Sequence, residues 1–246
     1  MNVRRDQQLY EGKAKVLFRT DDPEVLIQYF KDDATAFNGL KKGQIGHKGV
    51  INCAIATHLF QLLEAEGIAT HFLARISPRE MAITPVQIVP LEVVVRNVVA
   101  GSLAKRMGLP EGQNLSQPIV ELYYKRDDLN DPMVNDDHIL AFGLATEEEL
   151  ALLRARAREI NHFLMALFEE KGILLVDFKL EFGRTERGLV LADELSPDGA
   201  RLWDLISGEK LDKDRFRRDL GGVEEAYQEV LRRLVGEEAV QAALRA

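Results

Sequence analysis

In the run Leu175 to Phe182 the chain alternates between apolar and charged residues without a break from Val176 onward. Val176, Phe178, Leu180 and Phe182 share one parity; Asp177, Lys179 and Glu181 share the other. A period of two commits this segment to a β-strand with its apolar face on a core. The opposite face then carries two carboxylates and an amine in a row. Solvated strands more often carry Thr, Ser or Lys there, so two acids point to a hard cation. A turn, Gly183 to Gly188, leads into a second apolar run ending in Asp193-Glu194; the loop Ser196-Pro197-Asp198-Gly199 and Arg201 follow. Acids on paired strands beside an arginine suit Mg²⁺ and phosphate. The same charges also suit a surface ion ladder. One geometric condition is attached: Asp193 shares a face with Glu181 only if the hairpin closes on an odd number of unpaired residues.

The length of 246 residues allows one large domain or two modest ones. A net charge of −8 argues against nucleic acid as the main partner, so local basic clusters are left for small anions. The one cysteine, Cys53, allows no disulfide within the chain and fits a reducing cytoplasm. No apolar run approaches a membrane span, and no apolar signal segment follows the charged N-terminus. A cytoplasmic location and no membrane partner are expected.

The pattern along the chain predicts α+β architecture, two-lobed, with largely antiparallel sheets. Leu9 to Phe18 reads as a strand pair broken at Gly12, with Lys13 and Lys15 on one face. Val25 to Lys31 is a further strand and Asp32 to Gly39 a polar turn. Val50 to Glu66 reads as an amphipathic helix stopped by Gly67. Short strands follow up to Val89. Pro90 opens a new strand and marks the expected boundary between a small lobe, 1–89, and a larger one, 90–246, whose tail from about 206 is largely helical. Glu92 and Arg96 fall on one face of that strand. A short helix runs from Ser102 to Gly108, and Ile119 to Lys125 is a strand. Asp127 to His138 is a long acidic loop, and Thr146 with Glu149 caps a helix from Glu147 to Lys171.

Nucleotide-binding glycine loops, the nucleophile elbow and the zincin motif are all absent. The acidic loop from Asp128 has Met133 where a calcium loop requires glycine. Gly43, Gly46 and Gly49 have no strand before them and read as a flexible turn. Lys13 and Lys15 beside Gly12 suit either a triphosphate or a solvated strand face. Arg96 followed by Ala100-Gly101-Ser102 suits an anion at a helix entry, or an ordinary N-cap. Lys125 and Asp131 flank a loop of the kind that builds active sites, although Asp131-Pro132 also makes a turn.

These residues together resemble a known family. The strings YEGKAK (10–15), VVVRNVVAGSLAKR (93–106), DPMVND (131–136), LVDFKLEFG (175–183) and DELSPDGARLWD (193–204) look like SAICAR synthetase, the phosphoribosylaminoimidazole-succinocarboxamide synthase of de novo purine synthesis. The match runs in order over nearly the whole chain, loosest in the N-terminal third. Roles in the turn ATAFNGLKKGQ (34–44) stay open.

The resemblance implies a fold with an ATP cleft between lobes, distantly like protein kinases and ATP-grasp enzymes. It implies joining of carboxyaminoimidazole ribonucleotide (CAIR) to L-aspartate with ATP and Mg²⁺, giving SAICAR, ADP and phosphate, in a homodimer. Carried over position by position, Lys13, Lys15, Glu92, Lys125 and Asp131 would contact ATP, and Glu181 and Asp193 would hold magnesium. Arg96, Ser102 and Arg201 would contact the ribonucleotide or aspartate. Lys179, with Asp177 and Arg201, would stand at the reacting carboxylate. No residue stands out as the base for the aspartate amine. A small-metabolite kinase would use the same cleft without an amine acceptor. A nucleotide-sensing module would show no turnover.

Overall fold

Val16 and Phe18 of β2 (Lys15–Thr20) bury against Ile27 of β3 (Leu26–Phe30) in a small cluster of their own, while Leu17, Leu26 and Phe30 face the main core, and this alternation sets the first sheet. That sheet also holds β1 (Arg5–Glu11), β6 (Phe72–Ser77) and β7 (Glu80–Ile83), in the order β1-β2-β3-β7-β6. The structure is a computed structural model and describes residues 3–36 and 39–246. The expected polar turn at 32–39 is replaced by a hairpin of β4 (Asp33–Ala36) and β5 (Lys41–Gln44); Phe37 and Asn38 of that turn lie outside the described residues. Gly43 lies within β5, Gly46 follows it and Gly49 is in the first turn of the next helix, so they do not form one flexible turn.

The second sheet is built on β8 (Gln87–Val98), β9 (Asn114–Tyr124) and β10 (Ile173–Thr185). β10 pairs with β8 on one side; on the other, β12 (Ala200–Asp204) covers its first half and β11 (Gly188–Ala192) its second. Every ladder in both sheets is antiparallel among the described residues, as expected. The strands expected before and after Pro90 are one continuous strand, β8. Proline cannot donate to a ladder, and Pro90 sits at the irregularity where the pairing jumps from Glu181–Glu92 to Gly183–Ile88.

Helix α1 (Lys48–Ala65) is not amphipathic. It is buried without a gap from Lys48 to Thr57 and packs against β3, β6, β7 and the C-terminal helices. A helix apolar all round belongs inside a core, and the mixture of apolar residues on every side explains its place. α2 (Gly101–Met107) follows β8. The acidic loop contains a 3₁₀ turn (Asp127–Leu129) and the start of α3 (Asp136–Ala141). α4 (Glu147–Glu170) begins in the expected capping box between Thr146 and Glu149 and packs on β8, β9 and β10. α5 (Asp214–Arg217), α6 (Val223–Leu234) and α7 (Glu237–Leu244) complete the chain, and Tyr227 of α6 is wholly buried against α1's core.

Asp212 ties β12 to α5. Its two oxygens accept the N–H groups of Leu202 at 2.8 Å and Asp214 at 2.6 Å, with no exposure of the residue. Burial, and then the neighbouring Asp214, lift its pKa from 3.8 to about 7. Between those values only the folded chain holds this proton. Its contribution to stability is therefore complete below pH 3.8, falls as pH rises to 7, and is constant above. The span corresponds to at most about 4 kcal/mol. In Asp212→Asn, denaturant midpoints are expected to lose this slope between pH 4 and 7; an unchanged slope would assign it to other groups.

Candidate functional site

A cavity of about 240 Å³ opens between the first sheet and β10. Lys13, Lys15, Glu92, Lys125, Asp131, Lys179, Glu181 and Asp193 all line it. The strand periodicity explains most of this: Lys179 and Glu181 project from the charged face of β10, and Glu92 is paired directly with Glu181 on β8. Lys125 follows β9 and donates to Glu181 Oε1 at 3.0 Å. Lys179 bonds Glu181, lies 3.1 Å from Glu92 and reaches Asp193 at 3.7 Å.

The parity condition on the hairpin is not met. Thr185 pairs with Gly188, so the turn is the two residues Glu186-Arg187, an even number. Asp193 nevertheless lies beside Glu181. The strand ends at Ala192, and Asp193 adopts a left-handed backbone with φ 62°, which turns its side chain back toward Lys15 and Lys179. A non-glycine residue in this region is strained and is often held so at a functional site. Gln28 Nε2 holds its carbonyl at 3.1 Å.

Burial opposes charge throughout the cluster, but the opposite charges win. Asp193 and Glu194 raise the Lys15 pKa, and Glu181, Asp193 and Glu92 raise that of Lys179 well above the usual range. Lys125 is raised too, chiefly by Glu181 against its own burial. Lys15 and Lys179 in turn hold the Asp193 carboxyl well below the usual range. Lys15, Lys125, Lys179 and Asp193 are thus ionised together. No histidine lines it, and His71 behind Asp193 is kept neutral by burial, with a pKa near 4.

Lys13 lies in the turn between β1 and β2, not on a strand face, and pairs with Asp127 at 2.6 Å. Asp131 also has positive φ, and its Oδ1 accepts the N–H of Arg126 at 2.9 Å, so it both shapes its turn and faces the cleft.

A second recess adjoins the first and shares Glu92, Lys179, Asp198 and Gly199 with it. Here Asp177 binds two guanidinium groups: Arg96 at 2.8 Å and Arg201 at 2.9 and 3.1 Å. Arg96 continues to Glu121 at 2.6 Å and Ser102 Oγ at 2.9 Å; Arg201 continues to Asp214 at 2.9 Å. Burial lifts the Asp177 pKa despite Arg201 and Arg96. Gly101, at φ 53°, lies directly under the Arg201 guanidinium, where any Cβ would collide with it. The expected open helix entry differs in detail. Gly101 N–H is taken by Glu111 at 3.1 Å, Ala100 is the N-cap, and Ser102 accepts from Arg96 instead of capping. Val176 also departs from expectation. A β-bulge between Leu175 and Asp177 turns it away from the Phe178 core to pack with Val98, Ala100 and Trp203.

Sequence reasoning missed the wall opposite the lysines. Asp198, in the loop after β11, accepts Lys48 Nζ at 2.7 Å and Tyr227 OH at 2.6 Å, both deeply buried. Lys213 stands beside it at 3.7 Å, its pKa lowered by burial. The buried lysine at the start of α1 was the one available signal, and its partner lies 150 residues away.

Paired carboxylates among several ammonium groups, next to a guanidinium recess, form a site able to gather phosphates and carboxylates. The relatives agree with that chemistry. The SAICAR synthetase family model matches residues 8–234. A phosphoribosylaminoimidazole-succinocarboxamide synthase of Magnetococcus marinus is 58% identical over 235 residues, 94% of this chain and 97% of the relative. The crystal structure of the Ehrlichia chaffeensis enzyme of the same name superposes with a TM-score of 0.92 at 46% identity, covering 94% of this chain and 99% of that one. A SAICAR synthetase in complex with ADP superposes with a TM-score of 0.91 at 49% identity, over 94% and 98% of the two chains. The chain belongs to the SAICAR synthetase family.

Proposed function

We propose that this chain joins CAIR to L-aspartate at the expense of ATP, giving SAICAR, ADP and phosphate. The observation that carries the reading is the shared border of the two recesses: Lys179 and Glu92 line both the lysine–carboxylate cleft and the Arg96–Asp177–Arg201 recess. A carboxylate is a poor electrophile, and an amine does not displace oxide from it. Transfer of the γ-phosphoryl group to the CAIR carboxylate gives an acyl phosphate, whose leaving group is phosphate. That transfer needs alignment and charge neutralisation more than covalent help.

In this reading Lys13, Lys15, Lys125, Asp131 and Glu92 contact ATP, and Arg96, Ser102 and Arg201 contact the ribonucleotide. Lys179, oriented by its carboxylates, meets the phosphoryl group in flight. Asp177 fixes the two guanidinium groups. Glu181 and Asp193 would hold Mg²⁺. They fit it: both carboxylates already converge on one cation, the Lys179 ammonium. No cage of three or more such ligands exists among the described residues, which suits an ion held by two carboxylates and substrate phosphates. Magnesium bound there would neutralise phosphate charge. Lys15, Lys125 and Lys179, relieved of these acids, would then face phosphate oxygens. Residues 1–89 form the small lobe over the nucleotide; residues 90–246 carry the substrate and metal groups together with the ATP contacts Glu92, Lys125 and Asp131. The family resemblance also supports a cytoplasmic homodimer.

The test is ADP release with ATP, Mg²⁺ and CAIR, with and without L-aspartate. Aspartate-dependent ADP and a SAICAR product are expected, from a species with the mass of two chains. ADP release at full rate without aspartate would make the protein a kinase instead.

A further inference from the structure

Five lysines line the cleft, and four of them are neutralised. Lys13, Lys15, Lys125 and Lys179 each have a carboxylate within 3.1 Å. Lys213 does not. Its nearest acid is Asp198 Oδ2 at 3.7 Å, and that oxygen already accepts Lys48 at 2.7 Å, while the other accepts Tyr227 OH at 2.6 Å. The Lys213 side chain is only 10% exposed and lines the cavity beside Asp198 and Gly199. A buried ammonium without a hydrogen-bonding anion is costly unless an anion arrives from outside.

The surroundings hold Lys213 in that state. Its backbone N–H reaches Pro197 O at 3.4 Å, and α5 begins at the next residue. The charged groups facing it are Asp198 and Glu194 from the β11–β12 connection, Lys48 from α1 and Arg217 from α5. Burial lowers its pKa first; Lys48 and Arg217 add to that, against Asp198 and Glu194. Gly199 O accepts the backbone N–H of Lys179 at 2.9 Å, so this wall is tied directly to the strand that carries the reacting lysine.

We propose that Lys213 holds one of the two carboxylates of the L-aspartate substrate, on the wall of the cleft next to Lys179. This assignment rests on the function proposed above. In that reading the other cleft lysines meet phosphate groups and Arg96 and Arg201 meet the ribonucleotide, while Arg217 of the second recess is already paired with Asp214 at 2.7 Å, which leaves the amino acid's carboxylate for Lys213. An aspartate anchored here has its amine on the side of Lys179, where the activated carboxyl group is formed. Asp198, braced by Lys48 and Tyr227, acts as a positioning residue that keeps the Lys213 wall in place.

The test uses the full-length protein. Aspartate-dependent ADP release by the unaltered chain is measured first; its absence would overturn both this proposal and the functional reading. Given that activity, Lys213→Met is expected to raise the KM for L-aspartate by about 10²-fold, with the Kd for ATP and the KM for CAIR within threefold. Lys213→Arg, which keeps the charge, is expected to recover at least tenfold of that loss. L-Asparagine and L-isoasparagine, each lacking one carboxylate, identify the contact. The unaltered protein should discriminate against both, and Lys213→Met should lose discrimination against one. An aspartate KM within threefold of normal in Lys213→Met, or discrimination unchanged against both amides, would overturn the proposal while leaving the functional reading intact. Equal losses for ATP, CAIR and aspartate would mark Lys213 as structural and would also overturn it.

Discussion

With Lys179→Met, kcat for SAICAR formation is expected to fall about 10³-fold, while the Kd for ATP changes less than about tenfold. The side chain contacts Glu181, lies 3.1 Å from Glu92 and 3.7 Å from Asp193, and borders both recesses. Burial opposes its charge, but these three carboxylates keep it an ammonium at any working pH. It therefore stands as a preorganised cation at the point where phosphoryl charge would cross from nucleotide to carboxylate. Methionine keeps an unbranched apolar stem, one atom shorter, and removes the charge with its three N–H donors. Glu181 retains Lys125 at 3.0 Å and Asp193 retains Lys15, so only Glu92, which is bonded to Lys179 alone, loses its cation. The stability loss should accordingly stay within about 1–3 kcal/mol. Single-turnover ADP formation separates chemistry from product release. A rate within tenfold of normal, in a variant that still binds ATP, would remove Lys179 from the reacting centre.

The strand Leu175–Phe182 was legible because a period of two survives any arrangement of its neighbours, and it correctly placed Asp177, Lys179 and Glu181 on one side. Two finer features were not legible, and both are local breaks in that period. The bulge at Val176 depends on how β12 pairs, a contact set by residues 200–204. The side chain of Asp193 is aimed by a left-handed backbone that no parity rule contains. The α1 segment looked amphipathic because its apolar residues include a stripe; the unbroken burial of Lys48 to Thr57 follows from β3, β6 and β7 and from α6 and α7, the last two more than 150 residues later. Pro90 reads as a start signal in isolation, yet a bulge absorbs it within β8. The lysine–carboxylate cleft was visible because its acids lie on one hairpin. The Lys48–Asp198–Lys213 wall joins three distant segments and leaves no spacing to read.

Asp177→Asn should damage the other recess. One carboxylate, 4% exposed, binds Arg96 at 2.8 Å and Arg201 at 2.9 and 3.1 Å. An amide of the same shape keeps one acceptor and turns an NH₂ toward a guanidinium that also only donates. The two arginines, no longer neutralised between them, then repel in a buried setting. Each retains a second anchor, Arg96 on Glu121 and Arg201 on Asp214, so the recess should distort without emptying. Arg201 has little room to adapt, since it rests on Gly101. We expect a loss of about 3 kcal/mol in unfolding free energy. The KM for CAIR should rise by about 10²-fold or more, while ATP affinity stays within threefold, because the nucleotide lysines do not touch Asp177. The pattern matters more than the size. A loss shared equally between ATP and CAIR would mean that Asp177 supports the sheet, whereas a CAIR-selective loss, recorded at a temperature where the variant is folded, assigns it to holding the guanidinium pair on the ribonucleotide.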